Sequence, residues 1–231
     1  MGFPGLGERV AAIRAEIAEA VRRGGRGQDV RLIAVTKTHG PDAVTAAFDA
    51  GITDVGENKV QEALGKQEAL TTAGTMPPVR WHLIGHLQTN KVKALPHFSL
   101  LHALDRPKLA DEAAAMAERQ GITLDVLLQV NVAEEETKGG YPLTAVAAEA
   151  TRLLALQALR VTGVMTMAPF DADERVLRRV FAGARAAREQ LQVAGHPARE
   201  LSMGMSGDYV IAVEEGATLV RLGTVLFGAR G

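Results

Sequence analysis

Val30-Arg31-Leu32-Ile33-Ala34-Val35-Thr36, a helix-like stretch from Pro41 to Gly51, and then Thr53 to Val55 form the stretch whose reading decides the fold. The first piece is β-branched and mostly apolar, as a buried strand is. Pro41 opens a short helix carrying Val44, Ala47 and Phe48, and Gly51 closes it. A second strand follows at once. Strand, helix and strand in this order imply parallel pairing. Upstream, Val10, Ile13, Ile17 and Val21 recur at helical spacing before Gly24-Gly25.

Downstream, the cycle repeats. Asn58 to Leu70 reads as a helix and Arg80 to Leu87 as a strand, with a short helix through Lys91 and Lys93. Leu100 to Leu104 precedes a helix from Pro107 to Gly121, and Leu124 to Val132 precedes one from Pro142 to Leu156. Val161 to Met167 leads to the longest helix, Glu174 to Ala194, closed by Gly195. Glu200 to Met203, a short helix ending at Gly216, and a last strand from Thr218 to Phe227 complete the chain. Eight strands separated by helices can close into a TIM barrel, an α/β fold written (β/α)8, here with an extra N-terminal helix. An open doubly wound sheet is the competing architecture. No linker or shift in composition divides residues 1–231, so one domain is expected.

Composition narrows the function. The chain has no cysteine, which excludes disulfides, thiolate metal sites and thiol nucleophiles. Its 26 basic and 27 acidic residues leave no global field for nucleic acid. No apolar run approaches the roughly 18 residues of a membrane span, and Met1 to Glu8 lacks a signal pattern. A cytoplasmic protein with no membrane or nucleic-acid partner is expected. Aromatics are only 4%, so the core must be built from Ala, Val, Leu and Ile.

In such barrels chemistry gathers where strands end. Lys37 stands just past the first strand, where partial desolvation frees an amine for Schiff-base chemistry; the bland alternative is a solvated strand-end lysine. Leu201-Ser202-Met203-Gly204-Met205-Ser206-Gly207-Asp208 and Val220-Arg221-Leu222-Gly223-Thr224 follow strand seven and interrupt strand eight. Barrels often bind phosphate there. Ser206 offers a hydroxyl and a cap for a helix near Gly207, while Gly223 and Thr224 expose N–H groups and a further hydroxyl. Ordinary turn chemistry reads the same residues. Arg221, inside an apolar strand, needs an acceptor, either a ligand or a carboxylate. His82 and His86 lie on one strand about 13 Å apart, which opposes a metal pair, and His39, His97, His102 and His196 have no ligand spacing with them. Glu134-Glu135-Glu136 reads as a solvated loop. Phosphate-binding GxxxxGK[ST] and GxGxxG loops do not occur.

Taken together, the segments resemble the pyridoxal phosphate (PLP) homeostasis proteins, from about Leu6 to Arg230. The resemblance is carried by Ala34-Val35-Thr36-Lys37-Thr38, Gly56-Glu57-Asn58-Lys59-Val60-Gln61-Glu62 and Trp81-His82-Leu83-Ile84-Gly85-His86-Leu87-Gln88-Thr89-Asn90-Lys91. It continues through Gln129-Val130-Asn131, Lys138-Gly139 and Gly163-Val164-Met165-Thr166-Met167. The Ser202 and Arg221 segments already quoted, with Phe227-Gly228-Ala229-Arg230, complete it. It implies a barrel like the N-terminal domain of alanine racemase and an internal aldimine of PLP on Lys37. It further implies a phosphate held by Ser206, Gly223 and Thr224, Arg221 facing the pyridine nitrogen, and Asn58, His82, Ser202 and Met203 lining the pocket. His39 departs from the family, where the position is often a lysine.

Two functions follow. One is a PLP carrier that maintains the vitamin B6 pool and supplies apo PLP-dependent enzymes, with little or no catalysis. The other is a PLP-dependent amino-acid racemase, which needs acid/base groups on both faces of the α-carbon. An arginine at the pyridine nitrogen should keep it unprotonated, weakening the ring as an electron sink, which disfavours transamination and leaves racemase-like chemistry or no turnover. Tyr141 and Tyr209 are the only tyrosines, and neither sits in a racemase-like context. The carrier, as a monomer, is therefore the expectation.

Overall fold

Successive strand residues face opposite sides of a sheet, so each strand of a parallel barrel feeds two cores. The computed structural model describes residues 2–135 and 138–228. Eight strands pair in chain order and close: β1 (Arg31–Val35), β2 (Asp54–Glu57), β3 (Arg80–Leu83), β4 (Leu100–Leu104), β5 (Leu124–Gln129), β6 (Leu159–Met165), β7 (Glu200–Ser202) and β8 (Leu219–Leu222). Closure is made by β8 against β1, with Ile33 opposite Arg221. The helices are α1 (Leu6–Gly24), α2 (Asp42–Asp49), α3 (Val60–Thr72), α4 (Pro107–Gln120), α5 (Val146–Leu153), α6 (Glu174–Ala194), α7 (Tyr209–Glu214) and α8 (Thr224–Phe227). This is the (β/α)8 barrel with an N-terminal helix that the alternation implied.

Outward strand residues and the helices share the larger core. The scarcity of aromatics shows in its texture: α4 buries Ala110, Ala113, Ala114 and Ala117, and α6 contributes the fully buried Phe181. A separate, smaller core inside the barrel holds Ile33, Leu100, Ala103, Leu127, Met165 and Leu219. The barrel interior is not wholly apolar, because His82, His102, Ser202 and Arg221 are buried as well. At the N-terminal ends of the strands, Arg31 pairs with Glu200 at 2.5 Å, Arg80 with Asp54 at 2.7 Å and Arg160 with Asp125 at 2.5 Å.

Several elements stop earlier than their apolar runs suggest. The third strand ends at Leu83 rather than Leu87, and β5 at Gln129 rather than Val132. The last strand ends at Leu222, because Gly223 at φ −122°, ψ −76° leaves the extended region and starts α8. Val225, Leu226 and Phe227 are apolar because they pack as a helix against the outer core. The segment through Lys91 and Lys93 is a 3-10 helix, Thr89–His97. Glu136 of the acidic run and Ala229-Arg230 of the last motif lie outside the described residues.

Gly163 on β6 marks the closest backbone approach in the barrel wall. A Cβ there would lie 2.0 Å from the Glu200 carbonyl oxygen on β7. Gly163→Ala is therefore expected to cost about 1–3 kcal/mol, as overpacking does. It should appear as a lower urea midpoint at unchanged m.

Candidate cofactor site

The C-terminal ends of the strands open into a cavity of about 1530 Å³ whose wall includes Lys37, Asn58, Ser206, Arg221, Gly223 and Thr224. Lys37, half-buried, lies in a turn closed by the His39 N–H on the Thr36 carbonyl at 3.1 Å. Its neighbours are tied to β2 and α3. The Thr36 hydroxyl donates to Glu57 Oε1 at 2.5 Å, and Lys66 Nζ donates to the Thr36 carbonyl at 2.7 Å and to Glu57 Oε1 at 2.6 Å. On the other side, the Thr38 N–H donates to Glu62, which Lys66 also reaches at 3.2 Å. Thr38 sits at φ 69°, a left-handed conformation that a β-branched residue holds only where its surroundings impose it. Burial pushes the Glu57 carboxyl up, although Lys66 and Thr36 pull it down.

Asn58 reaches the cavity because Gly85 lets two loops touch: a Cβ on Gly85 would lie 2.3 Å from the Asn58 carbonyl oxygen. Across the mouth, Ser206 does not cap the helix after it, since α7 starts at Tyr209 with Asp208 before it. Its hydroxyl instead accepts the Val225 N–H of α8 at 3.3 Å, joining the loops after β7 and β8. Thr224 opens α8, so Ser206, Gly223 and Thr224 bring two hydroxyls and the start of that helix to the cavity wall. That donor set suits an anionic oxygen group.

Arg221 forms part of the cavity floor and is 5% exposed. It donates to Ser202 Oγ at 2.6 Å and to the Thr166 carbonyl at 3.0 Å. Burial lowers its pKa to about 10, against the pull of Asp208, so it stays charged at neutral pH. Among the described residues no carboxylate forms an ion pair with it; Asp208, on the same cavity wall, acts at longer range. Burial in turn pushes the Asp208 carboxyl up.

The remaining candidates stand elsewhere. Ser202 lies beneath the floor, bonded to Arg221, and His82 lies deeper on the barrel axis, bonded to Asp54 and His102 at 2.9 Å each. Met203 is fully buried in the outer core. His39 packs its ring against Phe3 and Phe227, away from the other histidines. Sequence reading gave no role to His102, Asp54, Asp208 or the Glu57–Glu62–Lys66 cluster. The available signal was a polar residue at an inward strand position, as in Leu100-Leu101-His102-Ala103-Leu104. On the far wall His86 Nδ1 lies 2.6 Å from Asp105 Oδ2, and Arg106 holds Asp105 Oδ1 at 2.5 Å.

The fold and the mouth residues define a barrel of the alanine racemase N-terminal domain class, whose family model matches residues 9–231. Within that class the chain belongs to the pyridoxal phosphate homeostasis protein family. It is 42% identical over 226 residues to the pyridoxal phosphate homeostasis protein of Aquifex aeolicus, covering 96% of this chain and 97% of that one. The Escherichia coli K12 protein of that name is 34% identical, with 97% of each chain covered. Among solved structures, PipY of Synechococcus elongatus with PLP bound superposes at a TM-score of 0.83 and 37% identity, covering 96% of this chain and all (100%) of PipY. The alanine racemase of Streptomyces coelicolor, at 20% identity and a TM-score of 0.72, shares the fold; it covers 95% of this chain, which spans 58% of that one.

The buried histidines set a pH dependence. Burial pushes the His82 ring below its usual pKa, although Asp54 pulls it up, and pushes His102 well below. A ring that resists protonation when folded contributes stability above the unfolded pKa of about 6.5, lost as pH falls below it. Unfolding free energy should therefore fall from pH 6.5 to 5.5, by up to about 1.4 kcal/mol per pH unit for each ring. Denaturant midpoints should show a shallower slope in His102→Asn.

Proposed function

We propose that this chain holds pyridoxal 5'-phosphate on the Lys37 amine and maintains the cellular vitamin B6 pool, with little or no catalysis of its own. The observation that carries the reading is the convergence of Lys37, Arg221, Ser206 and Thr224 on one cavity. PLP presents an aldehyde, a ring nitrogen and a phosphate, and this donor set suits each in turn. The lysine amine suits the aldehyde. The hydroxyls of Ser206 and Thr224, with the N–H groups of Gly223 and Thr224, suit the phosphate. A charged guanidinium, which only donates, suits an unprotonated ring nitrogen. The homologues named for PLP homeostasis and the PLP-bound PipY support the same ligand.

Bound PLP supplies an electron sink. Arg221 restrains it, because a donor held at the ring nitrogen opposes its protonation. The turn around Lys37 orients the amine, and the Ser206–Val225 contact keeps the phosphate edge closed. Proton transfer on a substrate would need a second group opposite Lys37. The Tyr141 hydroxyl is buried against Glu149 at 2.7 Å and that of Tyr209 is bound to Glu16, so neither tyrosine serves the cavity. This favours carrier over racemase. We further propose that the carrier is a cytoplasmic monomer forming a single domain and that apo PLP-dependent enzymes receive its cargo.

The purified protein incubated with PLP should be yellow, and Lys37→Ala should lose the visible band. Borohydride reduction followed by mass spectrometry should place the label on Lys37. A protein that stays colourless would sink the reading. Chiral analysis after long incubation with L-amino acids should show no D-isomer formed at enzymatic rates; Lys37-dependent formation at such rates would establish the racemase instead.

A further inference from the structure

A line of buried side chains runs down the barrel axis beneath Arg221. Arg221 donates to Ser202 Oγ at 2.6 Å, and Ser202 Oγ lies 2.8 Å from His102 Nδ1. His102 Nε2 lies 2.9 Å from His82 Nδ1, and His82 Nε2 lies 2.9 Å from Asp54 Oδ1. The line draws on β8, β7, β4, β3 and β2 and joins the floor of the cavity to the ion pairs at the opposite end of the barrel. Each of the five side chains is at most 5% exposed, too little for water to substitute freely.

The ends of the line fix every proton in it. Arginine only donates, so Ser202 Oγ accepts from Arg221; its own hydrogen goes to His102 Nδ1 because the Asp54 end of the line leaves that nitrogen an acceptor. His102 then carries its proton on Nε2 and gives it to His82 Nδ1. His82 carries its proton on Nε2 and gives it to Asp54. An ionised carboxylate can only accept, and Arg80 and His82 hold Asp54 well below the usual carboxylate range despite its burial. Burial keeps both rings neutral. The charged groups around the line are Arg31 and Arg80 at its lower end, with Arg31 3.8 Å from Asp54 Oδ1, and Arg221 with Asp208 at its upper end. Arg80 helps keep the carboxylate ionised and so an acceptor, and Arg221 donates into the serine, which are the two ends this polarity needs.

We propose that Asp54, His82, His102 and Ser202 are positioning residues for Arg221: a hydrogen-bonded line of one polarity, set at Asp54, that holds the guanidinium in the cavity floor. The use of the line in cofactor binding rests on the function proposed above.

Two variants in cofactor-free protein test it. In Asp54→Asn the amide oxygen should stay with its two donors, Arg80 and the Thr53 hydroxyl, which lies 3.0 Å from Asp54 Oδ2. The amide NH2 then faces His82 Nε2, and both rings must move their protons to Nδ1. In Ser202→Ala the Asp54 end is intact, so both rings should keep Nε2–H while Arg221 loses an acceptor. Nitrogen-15 NMR reads ring tautomers and the slow guanidinium rotation of Arg221. Expected are Nε2–H neutral rings and a slowly rotating Arg221 in the wild type. Asp54→Asn should give reversed rings and faster rotation, and Ser202→Ala unreversed rings with faster rotation. A wild-type His102 carrying Nδ1–H, or Arg221 rotation unmoved in both variants, overturns the proposal. A thermal melt identifies a variant that merely unfolds, and the other variant with the wild type then decides.

PLP titration adds the functional arm: about a tenfold weaker Kd is expected in each folded variant. An unchanged Kd beside a freed Arg221 would overturn the positioning role. A wild type that binds no PLP defeats the proposed function but leaves the ring and arginine signals to decide the line.

Discussion

A guanidinium that cannot give up its charge at neutral pH sits at the floor of the cavity inside a sealed barrel. Burying an unpaired charge is among the most costly acts a fold can perform. Here the cost is limited by a hydroxyl, a carbonyl and a more distant carboxylate. The hydroxyl in turn meets a histidine, which meets a second, which meets a carboxylate at the far end of the barrel. The polar half of the barrel interior is this connected line. The apolar half, Ile33, Leu100, Leu127, Met165 and Leu219, fills the space that remains.

The alternation of strands and helices was legible because it depends on local pattern: apolar runs, Pro41 and Pro107 as helix openers, Gly51 and Gly121 as stops. Strand ends were less legible. Ile84, Leu87, Val225 and Phe227 are as apolar as strand residues, yet they pack in loops or a helix, and only tertiary contact decides between these. Gly223 carried the signal for the end of β8, since a glycine inside a strand often marks where the ladder stops.

The candidate site divides in the same way. Lys37, Ser206, Gly223 and Thr224 stand directly after strands, where position alone argues for a barrel mouth. His82 and Ser202 are inward strand residues as well, but depth along the axis separates a residue on the cavity wall from one beneath it. Depth depends on the stagger between strands, which no single segment encodes. His102 has no partner at ligand spacing along the chain, because its partners stand on other strands, 20 residues away at His82 and 100 away at Ser202.

Thr36 and Thr38, which flank Lys37, are bonded to side chains of Glu57, Glu62 and Lys66, so the main chain at the anchor is ordered when the protein folds. The lysine side chain between them lines the cavity. If the proposed link to Lys37 forms, water would leave as the cargo is taken up and return as it is released, with the bond made and broken at one side chain and the bonded wall behind it unchanged. Under the carrier function proposed above, the wall should have nearly the same shape loaded and empty.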